Sequence, residues 1–117
     1  MTEFTAKTLK PSRSAPVRFK GRIIAETEWD TKDGCWVRYT VWETKGGAYI
    51  AEAAGDTPNK PDQVWRDVTV VEPIVDEAGK RDENAMQIAV LGAYDFHDRA
   101  KAMLKRELGW SPYVEVA

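Results

Sequence analysis

The sequence is poor in the residues that build most metal and nucleophile sites. Among 117 residues there is one cysteine, Cys35, and one histidine, His97. A single cysteine closes no internal disulfide, and the two together cannot furnish a Cys/His zinc set. No apolar run approaches the roughly 20 residues that cross a bilayer, the longest being Ile88–Leu91. Met1–Pro16 carries Lys and Arg without the apolar stretch of a secretory signal, so none is expected there. A Walker loop, a dinucleotide glycine fingerprint and a serine nucleophile elbow are all missing. The acidic stretch Asp76–Glu83 lacks the alternating ligands and closing glutamate of an EF-hand. There is no internal repeat. These absences point to a protein without metal or cofactor in a reducing cytoplasm.

What the chain does have is aromatic weight and charge. Hydrophobic residues make up 43% and charged residues 31%, and the aromatics include five Trp, four Tyr and three Phe. The length suits one domain. The net charge of −2 is unevenly placed: residues 1–22 hold six basic side chains against Glu3, and the remainder carries the acidic excess. Residues 1–16, rich in Thr, Ser, Lys and Pro, read as a flexible basic arm, and residues 17–117 as a single α+β domain.

Period-two alternation from Phe19 to Trp29 predicts a half-buried strand. Asp33–Gly34 then predicts a two-residue hairpin turn into a strand at Trp36–Thr44, and Gly46–Gly47 a second turn into a strand from Ala48. In that register Ala25 faces Trp42 and Trp42 faces Ala51, which gathers Trp29, Trp36 and Trp42 on one face and leaves Tyr39 and Val41 on the other. A longer first loop would instead align Tyr39 and Val41 with Ile23 and Ala25. Gly55–Asp62 reads as a polar loop, Gln63–Val71 as a strand apolar on both sides, and Glu72–Asn84 as an exposed mobile loop.

The run Ala85–Tyr94 is read with a strand over Gln87–Leu91. Asp95 then offers an N-cap to a helix whose stripe is Phe96, Ala100, Met103, Leu104 and Leu108, ending at Gly109 as a left-handed cap. The tail from Ser111 offers a short edge strand. The expected architecture is α+β: an antiparallel meander of four to five strands packed by one C-terminal amphipathic helix.

The candidate sites follow from charge and aromatics. Glu26, Glu28, Glu43 and Glu52 would form an acidic sheet face, most simply a solvated one. Most of the Trp residues are core pieces, but a thin sheet leaves surface at Trp36, Trp42, Trp65 and Tyr39 for a protein partner or self-association. Lys7, Lys10, Arg13, Arg18, Lys20 and Arg22 could instead neutralise phosphates, making nucleic acid the alternative partner. His97, beside Asp98 but not facing it, reads as an exposed helix-start residue, and Cys35 as an ordinary thiol beside a turn. A small enzyme using the sheet carboxylates or Cys35 is the third reading. No membrane role is expected.

The run Val17–Arg–Phe–Lys–Gly–Arg–Ile–Ile–Ala–Glu26, then Arg38–Tyr–Thr–Val–Trp–Glu–Thr–Lys–Gly–Gly47, then a late helix with an acidic-aliphatic tail, resembles the small bacterial proteins of the EXLDI family. That family carries a Phe-x-Gly-Arg strand before a Tyr/Thr-rich strand closing on Thr-x-x-Gly, and ends near Glu-x-Leu-Asp-Ile. Here the end reads Tyr113–Val–Glu–Val–Ala117. The likeness covers roughly residues 17–55 and the end, and implies no activity. The general look is similar to accessory proteins of phages and plasmids. The expected function is therefore a non-enzymatic cytoplasmic binding protein, an accessory or an inhibitor whose acidic body engages a basic protein.

Overall fold

The computed structural model describes residues 3–116, with the backbone alone for Pro61 and Asp62. The elements are β1 (Thr5–Leu9), β2 (Val17–Asp30), β3 (Trp36–Thr44), β4 (Tyr49–Thr57), β5 (Lys60–Val71), α1 (Glu83–Ala93) and α2 (Asp98–Leu108). The strands form one antiparallel sheet in the order of the chain, β1-β2-β3-β4-β5. An α+β fold with an antiparallel sheet is therefore what the chain adopts, with two helices where one was expected.

The turns set the register, and three of them are alike. Thr31 N–H donates to Cys35 O (2.7 Å) and Gly34 N–H to Thr31 O (3.0 Å); the same pair of bonds joins Thr44 with Ala48 and Asp76 with Lys80. Each encloses three residues and ends on a glycine, Gly34, Gly47 or Gly79, with φ between 77° and 89°. That is the three-residue hairpin loop, whose last position needs a left-handed backbone. The two-residue turns expected at Asp33–Gly34 and Gly46–Gly47 are thus each one residue too short. One residue of register exchanges the faces of a strand. Trp42 pairs with Ile23 and Ile50, and Val41 with Ala25 and Ala51, rather than Trp42 with Ala25 and Ala51.

A β-bulge between Ile23 and Ala25 changes the register again. Before it, Phe19 packs with Trp42; beyond it, Ala25 joins the core under the helices and Trp29 rests edge-on against Tyr39 at 4.9 Å. Trp29 and Trp42 are therefore on opposite faces, contrary to the single aromatic face expected.

β1 overturns the flexible arm: Thr5–Leu9 pairs with Val17–Gly21, and Leu9 is buried against Trp42 and Ile50. In a flat meander β1 and β5 would lie four strand spacings apart, roughly 19 Å. Instead Ser12 N–H donates to Arg66 O and Ser12 Oγ accepts from Arg66 N–H, both at 2.8 Å. The sheet is curled, and the β1–β2 ribbon folds across its concave face.

Both helices pack on the opposite, convex face. Met86, Val90 and Leu91 of α1 and Ala100, Met103 and Leu104 of α2 are buried against Ala25, Val41, Tyr49 and Ala51. α1 replaces the strand expected over Gln87–Leu91. Its alanines favour helix, and Asp82 caps it by accepting from Ala85 N–H at 3.0 Å. α2 begins two residues later than expected, capped by His97 instead of Asp95; Asp95 and Phe96 form a left-handed corner at φ 53° and 55°. Gly109 is the left-handed C-cap, as the sequence indicates.

The remaining expected loops are also more ordered. Thr57 pairs with Lys60 around Pro58–Asn59, so strands occupy most of Gly55–Asp62. Val75 bridges Arg81 within the stretch read as a mobile loop. Residues 111–116 form no strand; Asn84 holds them by exchanging two hydrogen bonds with the Tyr113 backbone, at 2.8 and 3.0 Å.

Candidate functional site

The fold of the β1–β2 ribbon over the concave face leaves a cleft of about 240 Å³ to which all five strands contribute. Its floor is Glu52, 4% exposed at the middle of β4. A carboxylate buried this far needs compensation. Trp42 Nε1–H donates to its Oε1 at 3.2 Å, and Arg66 Nε lies 2.8 Å from its Oε2. The Arg66 contact is an ion pair rather than a directed hydrogen bond, because the buried Nε–H does not line up on any acceptor.

Thr40 separates the carboxylates, pairing with Glu26 on one side and Glu52 on the other. Its hydroxyl donates to Glu26 Oε2 at 2.8 Å. The sequence register instead placed Val41 between them. Two strand spacings separate the two backbones by roughly 10 Å, with Thr40 between them. Around the mouth, Lys7 Nζ sits 5.5 Å over the Trp42 ring, and Arg38 lies 5.3 Å over the Trp36 ring. Cations resting on indole faces keep their charge directed outward at low solvation cost. The cleft therefore offers a neutralised floor, two cations and one carboxylate: groups that complement a charged side chain.

Of the residues singled out from sequence, Glu26, Glu52 and Trp42 meet in the cleft, joined by Lys7 from the basic set. Glu28 shares their side of β2, opposite Arg38, and is exposed. Glu43 lies on the other side, paired with Arg22 at 3.3 Å. The acids are thus interleaved with cations rather than forming one acidic face. Trp65 is half-buried, its Nε1–H donating to Asp56 O at 3.1 Å. Tyr39 belongs to the convex core, stacked on Tyr94 at 4.3 Å. Arg18 and Lys20 flank an open depression with Lys45, Lys10 and Arg13 are exposed on the β1–β2 connection, and Arg22 also covers the Phe4 ring. Cys35 is partly exposed beside its turn.

Sequence reasoning missed Arg66 and Thr40, whereas Arg38 was expected beside the glutamates, as a neutralising charge with Lys20 and Arg22. Arg66 had a signal: it interrupts the apolar parity Val64, Val68, Val70, where a charge is out of place unless it meets a buried partner.

Ionisable groups on the convex side brace the frame. Burial pushes the Tyr49 hydroxyl up to about 12, assisted by its hydrogen bond to Glu83. Burial would raise the Glu83 carboxyl, but hydrogen bonds from Arg81 and Tyr49 bring it below its ordinary value. Burial, then the nearby Glu52 charge, raises Tyr94, whose hydroxyl proton is shared between Thr40 O at 3.1 Å and Glu52 O at 3.0 Å. His97 stacks on Trp29 at 5.9 Å, with Arg99 over the same indole. Among the described residues no three His, Cys, Asp or Glu side chains are grouped to hold a metal, and no helix is long and apolar enough to cross a membrane. No family model, curated protein or solved structure matches the chain.

Proposed function

We propose that this chain is a binding protein acting through protein–protein contacts, and that its concave cleft receives a charged segment of the partner. The observation that carries the reading is the setting of Lys7, Arg38 and Glu26 around the buried Glu52–Arg66 pair. Buried polar pairs of this kind hold surrounding side chains in one arrangement, which favours selective over indiscriminate contact. The resemblance to the EXLDI family concerns β2, β3 and β4, which supply most of the cleft, and is retained as part of this proposal.

The test is capture from a lysate of the source cell with immobilised wild type, a Lys7→Glu/Arg38→Glu variant and an Arg18→Glu/Lys20→Glu variant, each checked by thermal melt. A protein retained by wild type and by the second variant, but released by the first, is the expected result. Equal retention by the first variant would remove the cleft from the proposal.

A second reading has its own observation. Arg18, Lys20 and Arg22 recur at alternate positions of β2, and the first two border one depression with Lys45. Such a row can track a phosphate backbone. Nucleic-acid binding that falls steeply with salt and is lost in Arg18→Glu/Lys20→Glu would favour it. Deleting residues 1–16 would not be a clean test, because it removes β1.

A further inference from the structure

On the convex side, away from the cleft, α1 and α2 diverge and the C-terminal tail passes over the gap. The space between them is about 280 Å³. Its walls are Ile88 and Leu91 of α1, Leu104 of α2, Phe96 of the corner, and Trp110 with Pro112 of the tail. The lining is predominantly apolar, and Phe96 remains 48% exposed at the edge. The gap is open to solvent along one side, an apolar groove rather than an interior void. An apolar cavity of roughly 150 Å³ accepts a benzene ring; the groove has nearly twice that volume.

Two features select the occupant. Lys101 and Lys105, one helical turn apart on α2, both border the opening, and neither ammonium has an ion-pair partner among the described residues. Lysine stems run along apolar surface and present the charge at its margin. An apolar body with a single anionic end matches this arrangement. The roof can also yield: the tail over the cavity has no regular structure, and among the described residues side-chain hydrogen bonds reach it only from Asn84. Opening there exposes no strand or helix backbone.

We infer that the gap between α1, α2 and the tail is a binding site for a medium-chain acyl carboxylate, the chain lying against Ile88, Leu91, Leu104 and Trp110 and the carboxylate meeting Lys101 and Lys105. The site is independent of the cleft, and each can fail without the other.

The test is titration of the full chain with sodium octanoate below its micellar concentration, followed by amide, methyl and indole NMR. One-to-one saturation is expected, with the largest shifts at the Trp110 indole N–H and the Ile88, Leu91 and Leu104 methyls. Octanol should bind about tenfold more weakly or worse, and Lys101→Glu/Lys105→Glu should weaken octanoate by a similar factor without changing octanol. Ile88→Trp, which fills the gap from a partly exposed position, should abolish both while the thermal melt stays cooperative. Absence of saturation, shifts centred elsewhere, or equal affinity for octanoate and octanol would overturn the inference.

Discussion

Glu52 shows how much a single buried side chain asks of its neighbours. The carboxylate is held by the Trp42 indole and the Arg66 guanidinium, so removing Arg66 leaves a buried anion with one neutral donor. Arg66→Ala is expected to cost about 3 kcal/mol, and Arg66→Ala combined with Glu52→Gln less than that, because the second change removes the stranded charge. Urea unfolding of both variants checks the order; a double variant weaker than the single would count against the account. The tyrosines make a pH statement. Tyr49 is raised to about 12 and Tyr39 and Tyr94 in the same direction, in each case first by burial, so the fold favours the neutral hydroxyl. Their contribution is complete below the unfolded value of about 10 and is lost as pH rises beyond it. Stability should fall from about pH 10 upward, and less steeply in Tyr49→Phe, as followed by urea midpoints along the pH series.

At the scale of elements, the turns decide what each strand presents. Thr31–Lys–Asp–Gly34 and Thr44–Lys–Gly–Gly47 both close with a left-handed glycine in third loop position. The repeated Thr-Lys-x-Gly was visible in the sequence, but Asp-Gly is also a two-residue turn signal, and only the hydrogen bonds separate the two. Adjacent glycines give a test. Gly47→Ala forces a side chain onto φ 89° and towards Arg81 Nη1, and should cost about 1–2 kcal/mol; Gly46→Ala meets nothing nearer than 4.0 Å and should stay within about 0.5 kcal/mol. Thermal or urea unfolding distinguishes them, and the reverse order would reinstate the shorter loop. The helices were unequally legible. α2 has a charged face and a marked stripe, whereas α1 is apolar over most of its length, and a short apolar run does not reveal its period.

The whole molecule is held by two clusters on opposite faces of the sheet, a larger one under the helices and a smaller one around Leu9, Trp42 and Ile50 under the β1–β2 ribbon. Deleting residues 1–10 therefore removes a paired strand and a buried leucine. The expected loss is at least about 2–3 kcal/mol, read as a lowered urea midpoint, whereas removing an unattached arm would leave the midpoint unchanged. The same ribbon brings Lys7 to the cleft, so the basic N-terminal segment shapes the candidate site without being a free polycation.

By itself, the sequence determined the α+β class, the late amphipathic helix with its glycine cap, and the apolar strands, because each rests on local periodicity and local backbone preference. One cysteine and one histidine also exclude an internal disulfide and a Cys/His zinc set. Tertiary structure decided which faces meet. A third loop residue at two turns, the bulge at Ile23/Ala25 and the curl that joins Ser12 to Arg66 jointly put Glu52, Thr40, Glu26, Arg38, Arg66 and Lys7 in one place. Those pairings span tens of residues, and a strand's alternation is equally satisfied by either face until its partner is in position.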